Sequence, residues 1–282
     1  MTSAAMSAAP RRMDAAATFD SIVAWIEKTA AAERAPGLIV GISGTDSILT
    51  FLACARAFER MGKGDRVLGL HFEHVSKNTM VDGDPAKQCA APEVNWVGRD
   101  IIPWLRTQAP QALFETDATI AHSDDNKRWG NLFSRAVRDT GARHGMSSRH
   151  YFPVGTRNAT EEALGTYSQI SKAVSLLPIM GLYKTEVLAL CAHLGVPQIA
   201  IDKSREVDCD CGRFFVQANY MRELDLYIMH RHGLLARDYL MQNIAPDILA
   251  SVAEFYAEET AQNSYRPRTP YRPAEPLAVF LP

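Results

Sequence analysis

The chain has 282 residues, close to half of them apolar and 22% charged, enough to bury the core of one large domain or two small ones. A formal net charge of −2 without a basic stripe argues against nucleic-acid binding through bulk electrostatics. Five scattered cysteines do not form a disulfide framework, Arg11 and Arg12 precede no apolar signal-type segment, and no run is long and apolar enough to span a bilayer, so a cytoplasmic protein is expected.

Residues 1–17, rich in Ala and Ser, read as a poorly ordered leader. Over residues 19–31, Ile22, Val23 and Ile26 recur at helical spacing, with Asp20 or Ser21 placed to cap. Residues 38–42 are a continuous apolar run of the kind buried on both faces of a sheet. Ile48, Phe51, Leu52 and Ala55 then share one helical face, which puts residues 43–47 at a strand-to-helix turn. The alternation continues with strands at 66–72, 94–97 and 151–155. Helices are predicted over 131–144, with Leu132, Phe133, Ala136 and Val137 facing inward, and over 184–194, with Val187, Leu188, Cys191 and Leu194 inward. Gly195 and Pro197 end the latter. Past Cys211 the pattern is mostly helical to about Glu259, and residues 265–282, with five prolines, read as an extended tail. The expectation is an α/β fold, a central parallel sheet with helices on both faces, over 18–200, then a helical C-terminal part over 201–264 and a Pro-rich tail over 265–282. Ligands in such folds bind beyond the carboxyl ends of the strands.

The turn Ser43-Gly44-Thr45-Asp46-Ser47 places backbone N–H groups and three hydroxyls at the positive end of a helix dipole, where a polyphosphate can approach. Asp46 would repel phosphate directly and makes most sense as a magnesium ligand between phosphates. The loop is neither a Walker A sequence nor a dinucleotide fingerprint. Alone it does not separate a phosphate loop from an ordinary capped turn.

A second cluster does. Val154-Gly155-Thr156 is followed by Glu161, Gly165 and Pro178, then by Gly181-Leu182-Tyr183-Lys184. With Asn131 and Arg135 one helical turn apart, these segments resemble the N-type ATP pyrophosphatase (PP-loop) superfamily, most closely the ammonia-dependent NAD synthetases. The similarity runs roughly from Leu38 to Pro197. It implies a fold of the adenine-nucleotide α-hydrolase type, with ATP and Mg2+ as cofactors. Ser43, Gly44, Thr45, Asp46 and Ser47 would hold the β,γ-pyrophosphate and Thr156 would contact the nucleotide. Asp46 and Glu161 would share the magnesium, Lys184 would steady the leaving pyrophosphate, and Arg135 would face the acyl substrate. The implied activity is AMP-forming amide ligation of a carboxylate with ammonia or a small amine, by a homodimer with its acyl site near the subunit interface. Lysine at a helix N-terminus opposes the dipole, a placement that makes sense beside an anion.

The chain departs from the pattern in two places. The phosphate loop is one residue short, which re-aims its N–H groups. Gln169 and Ser175 stand where the family carries a lysine and an aspartate that recognise deamido-NAD, which weakens the case for that acid and leaves another carboxylate open. Ser204 is a candidate for a threonine hydroxyl of the family's substrate-covering loop. Two other readings stay open: a sulfur-transferring enzyme using Cys209 and Cys211, and a catalytically silent nucleotide-binding paralogue. Two cysteines one residue apart cannot close a tetrahedral zinc site alone, and Cys191 fits a buried helix face better than a third ligand. His71 and His74 read as structural strand-end histidines, and Phe72 as a residue that packs near a bound base.

Overall fold

The computed structural model describes residues 7, 9–72, 79–81, 84–89, 96–117, 125–137, 151–206 and 215–267, with backbone alone at 79–81, 84–89, 125–127 and 137. Helix α1 (Ala15–Ala32) is followed by strand β1 (Leu38–Ile42), helix α2 (Thr45–Arg60) and strand β2 (Val67–Phe72). A short antiparallel pair, β3 (Thr79–Val81) and β4 (Asp84–Cys89), precedes α3 (Ile102–Gln108) and β5 (Leu113–Asp117). Next come α4 (Asp125–Val137), β6 (Phe152–Val154), α5 (Ala159–Leu164), α6 (Lys184–His193) and α7 (Gln198–Lys203). The chain continues through four helices, α8 (Phe215–Asn219), α9 (Met221–Arg231), α10 (Arg237–Asn243) and α11 (Pro246–Gln262).

Among the described residues the main sheet has four parallel strands in the order β5-β2-β1-β6. Leu38 pairs with Val67 on one side and Phe152 on the other. Alternate residues of β1 face opposite layers. Leu38, Val40 and Ile42 join the core built with Ile26 of α1, Phe51 of α2 and Val187 of α6, whereas Ile39 packs with Leu68, Leu70 and with Leu132 and Ala136 of α4. Helices therefore cover both faces, as expected of a parallel sheet. The C-terminal helices form their own apolar cluster, in which Leu224 and Ile228 of α9 meet Val252 and Phe255 of α11, with Leu164 and Tyr183 supplied by the α/β part.

Strand order reverses between β1 and β6: the chain steps outward from β1 through β2 to β5, then returns to the other side of β1. A crevice opens beyond the carboxyl ends of strands at such a point. Both sequence clusters end there, because residues 43–47 follow β1 and residues 155–161 follow β6.

Several expectations are corrected. Of the strand expected at 94–97, residues 94 and 95 lie outside the described residues, and residues 96 and 97 instead begin a helical turn that runs through 101 into α3. Val97, Ile101 and Leu105 are buried at helical spacing, and Trp96 is buried beside them. The third parallel strand is instead β5, which pairs with β2. Helix α1 begins at Ala15, inside the stretch read as leader, and its cap is Asp14, whose carboxylate accepts the Ala17 N–H at 3.0 Å, not Asp20 or Ser21. Residues 138–144 of the predicted 131–144 helix, His74, Cys209, Cys211 and residues 268–282 of the tail lie outside the described residues. Among the described residues no helix is long and apolar enough to cross a membrane.

Candidate active site

The residues after β1 and β6 meet across the crevice. Asp46, in the first turn of α2, is held from two sides: Asn158 Nδ2 donates to its Oδ1 at 2.7 Å, and Lys184 Nζ, from the first position of α6, donates to its Oδ2. Lys184 Nζ also donates to Thr45 Oγ1 at 3.0 Å, and that hydroxyl lies 2.8 Å from Ser204 Oγ. Burial works against the Lys184 ammonium, but the Asp46 carboxylate and then Glu161 outweigh it, and the lysine is more basic than usual.

Asn158 and Glu161 cap α5 reciprocally. Asn158 Oδ1 accepts the Glu161 N–H at 2.9 Å, and Glu161 Oε2 accepts the Asn158 N–H at 3.1 Å. Asn158 is 1% exposed. Its amide thus has two duties, capping the start of α5 and gripping Asp46. Burial, with repulsion from Asp46, pushes the Glu161 carboxyl up to about 7, against Lys184, the Asn158 N–H and Arg157.

Ser43, Gly155, Thr156 and Glu161 line one open cleft of about 880 Å³, solvent at its mouth included, within the size range of small-molecule sites. Phe72 from β2 and Trp129 from α4 supply apolar walls. Gly155 is required by a close approach: a Cβ there would lie 2.7 Å from Leu177 and 2.9 Å from Val174. Arg157, 8% exposed, stacks 4.0 Å over the Tyr167 ring and pairs with Glu162 at 2.9 Å. Among the described residues, Arg157 Nε and Thr166 Oγ1 have no hydrogen-bond partner in this cleft wall, which leaves polar atoms for a ligand to satisfy.

Of the sequence-predicted site residues only Ser43, Thr156 and Glu161 line this cleft; Gly44, Thr45, Asp46 and Lys184 lie beside it. Ser47 is 2% exposed, and its Oγ accepts the Ser43 and Gly44 N–H groups at 2.9 and 3.0 Å while donating to Gly44 O at 2.7 Å. It shapes the loop from beneath. Arg135 pairs with Glu115 of β5 at 2.8 Å, and Asn131 bonds Asp117 at the end of the same strand. Gln169 opens a short 3₁₀ turn, and Ser175 donates its N–H to Pro153 O at 2.8 Å; neither lines the cleft, where Ser168 and Ser171 stand instead. Cys191 is buried in α6 beneath the loop, its thiol donating to Thr45 O at 3.6 Å and pushed up to about 12 by burial. His71 is buried in β2. Asn158 and Arg157 were missed by sequence reasoning, although Asn158-Ala-Thr-Glu161 carries the capping-box pattern.

The donor set suits a hydrated divalent cation. Burial, and then Asp46, disfavours the Glu161 carboxylate, a cost that a bound cation would offset, and Mg2+ takes one or two carboxylates and completes its shell with water and phosphate. Among the described residues no group of three or more His, Cys, Asp or Glu forms a self-sufficient metal site.

A parallel α/β protein with its polar cluster at the strand-order reversal belongs to the class that binds ligands on a strand-to-helix loop. Its family follows from comparison. The NAD synthase family model matches residues 18–212, and the chain belongs to that family. It is 36% identical over 169 residues to the NH3-dependent NAD+ synthetase of Methanosarcina acetivorans, a match covering 59% of this chain and 62% of that protein. Identity to the NH3-dependent NAD+ synthetase of Thermotoga maritima is 28% over 221 residues, covering 67% and 77%. The chain thus spans under two thirds of the Methanosarcina relative. Two solved structures share the fold. The NH3-dependent NAD synthetase of Campylobacter jejuni has a TM-score of 0.57 at 16% identity, covering 93% of this chain and 99% of that one. The NMN synthetase of Francisella tularensis has a TM-score of 0.59 at 14% identity, covering 94% and 100%.

Proposed function

We propose that the chain is an ATP-dependent amide ligase that adenylates a carboxylate and releases AMP and pyrophosphate. A carboxylate oxygen attacks the α-phosphorus of ATP and pyrophosphate departs. Ammonia or a small amine then attacks the acyl carbon and AMP leaves. The observation that carries the reading is the convergence of Asp46, Asn158, Glu161 and Lys184 from segments more than a hundred residues apart, in a chain of the NAD synthase family.

In this reading Lys184 moves from Asp46 to the departing pyrophosphate, where a buried cation stabilises developing charge. Ser43, Gly44 and Thr45 line the phosphates, with Ser47 holding the loop in shape. Asp46 and Glu161 would hold Mg2+, which neutralises phosphate charge when bound. Thr156 faces the nucleotide across the cleft. Arg135 reaches the acyl substrate only by leaving Glu115. The acid is deamido-NAD or another carboxylate, and the family resemblance supports a homodimer.

The Ser47 contacts to Ser43 and Gly44 favour one second reading, a nucleotide-binding paralogue without turnover, because those two N–H groups face inward. AMP and pyrophosphate release from ATP, Mg2+ and ammonium, with and without deamido-NAD, separates the readings. Acid-dependent AMP supports the ligase; bound ATP without AMP, across deamido-NAD and other candidate acids, supports the paralogue.

A further inference from the structure

Asp225, on α9, is a carboxylate that the proposed reaction does not use, and it is 1% exposed. Its Oδ1 accepts the Thr160 hydroxyl at 2.6 Å. Its Oδ2 accepts both the Thr185 N–H at 2.8 Å and the Thr185 hydroxyl at 2.7 Å. Thr160 Oγ1 in turn accepts the Lys184 N–H at 2.9 Å. One side chain from the C-terminal helices therefore closes on the first two N–H groups of α6, on Thr185 directly and on Lys184 through Thr160.

The two helix starts joined this way carry the groups of the site. Thr160 is next to Glu161, in the turn capped by Asn158, and Thr185 is next to Lys184. A backbone bond from Ala159 N to Leu182 O, at 2.7 Å, clamps the same two segments. An anion at a helix N-terminus is favoured by the dipole and by the unsatisfied N–H groups there. Burying a carboxylate whose hydrogen-bond partners are threonines is nonetheless costly. That cost is spent at the root of Lys184, whose Nζ must reach Asp46 and Thr45 from a backbone fixed by these bonds.

We propose that Asp225 is a positioning residue that sets Lys184 against Asp46 through Thr160 and Thr185, which makes α9 part of the site. The inference rests on the reading of Lys184 and Asp46 as ATP-site residues.

A double-mutant cycle of Asp225→Asn and Lys184→Met in the full chain tests it, with two readouts. By calorimetry of Mg-ATP binding, Asp225→Asn should weaken binding about tenfold when Lys184 is present and less than about twofold in the Lys184→Met background. By urea unfolding, which needs no nucleotide, the two midpoint losses should be non-additive. Thr160→Val and Thr160→Ser give a milder pair should Asp225→Asn fail to fold. Serine should keep binding within about twofold of the parent and valine should not, since only serine retains the hydroxyl. An Asp225→Asn chain that loses stability but binds Mg-ATP unchanged would overturn the proposal, as would the same fold-loss in both backgrounds. A parent chain that binds no Mg-ATP would overturn the ligase reading, and the urea cycle then decides the positioning role by itself, with additive losses counting against it.

Discussion

Lys184 occupies the first position of α6, where a cation opposes the helix dipole. It is stable there because Asp46 accepts its ammonium and Thr45 Oγ1 accepts a second bond. In the proposed reaction the same ammonium serves the pyrophosphate. Lys184→Met should therefore lower kcat/KM for AMP formation by roughly 100-fold or more, as loss of one charge-stabilising donor does elsewhere. Asn158→Ala should act differently, costing about 1 kcal/mol of stability through the lost cap and a smaller share of activity through a freer Asp46. Steady-state AMP release and urea unfolding check the pair; equal activity losses would contradict the division of labour. At this scale the meeting of Asp46 and Lys184 was legible in the sequence, because a carboxylate in a phosphate-type loop and a lysine at a helix start are both unfavourable without a partner. Ser47 and Asn158 were less so. A serine that binds phosphate and one that ties down its own loop have the same local sequence, and only burial separates them.

Helix ends, more than helix bodies, build the site: α2, α5 and α6 all point their N-termini toward it. Asp225 joins two of these ends to α9, and its titration gives a test at this scale. Burial raises the Asp225 carboxyl to about 6, against the hydrogen bonds from Thr160 and Thr185; Glu186 adds to the rise, and Arg11 and Tyr183 also face it. The folded chain thus holds the proton more tightly than the unfolded chain, where a free aspartate titrates near ~3.9. This contribution to stability is complete below about pH 4 and is lost as pH rises through about 6. Asp225→Asn should flatten the fall in unfolding free energy over that window, leaving the part due to Glu161; an unchanged slope would contradict the assignment.

The misplaced strand belongs to this scale as well. Val94 to Val97 looks like a short apolar strand, but Val97, Ile101 and Leu105 repeat with helical spacing, and long-range packing chose that period. The true third strand, β5, carries Glu115 and Asp117 and is only half buried, since an edge strand needs no continuous apolar run. The start of α1 was missed because Ala15, Ala16 and Ala17 carry no periodic signal, although Asp14 is a good cap.

For the molecule as a whole, the parallel α/β layering and the two clusters were readable together, because buried runs and helical stripes alternate and each cluster follows a strand; the strand order was not, since β5 carries no apolar run. What could not be read was how the ends of the chain return to the site. Arg11 pairs with Glu186 at 2.5 Å and donates to Gly181 O at 2.8 Å, in the turn that leads to Lys184. Arg266 donates to Tyr167 O on the cleft wall. These contacts span more than ninety residues and leave no local pattern. The central claim remains the adenylation of a carboxylate, and oxygen transfer tests it most directly. With the carboxylate of deamido-NAD, or of whichever acid supports AMP release, labelled with 18O, the account predicts one labelled oxygen in the AMP, since the oxygen that attacks phosphorus stays with it when the amine attacks carbon. Unlabelled AMP, or no AMP with any acid, would contradict it.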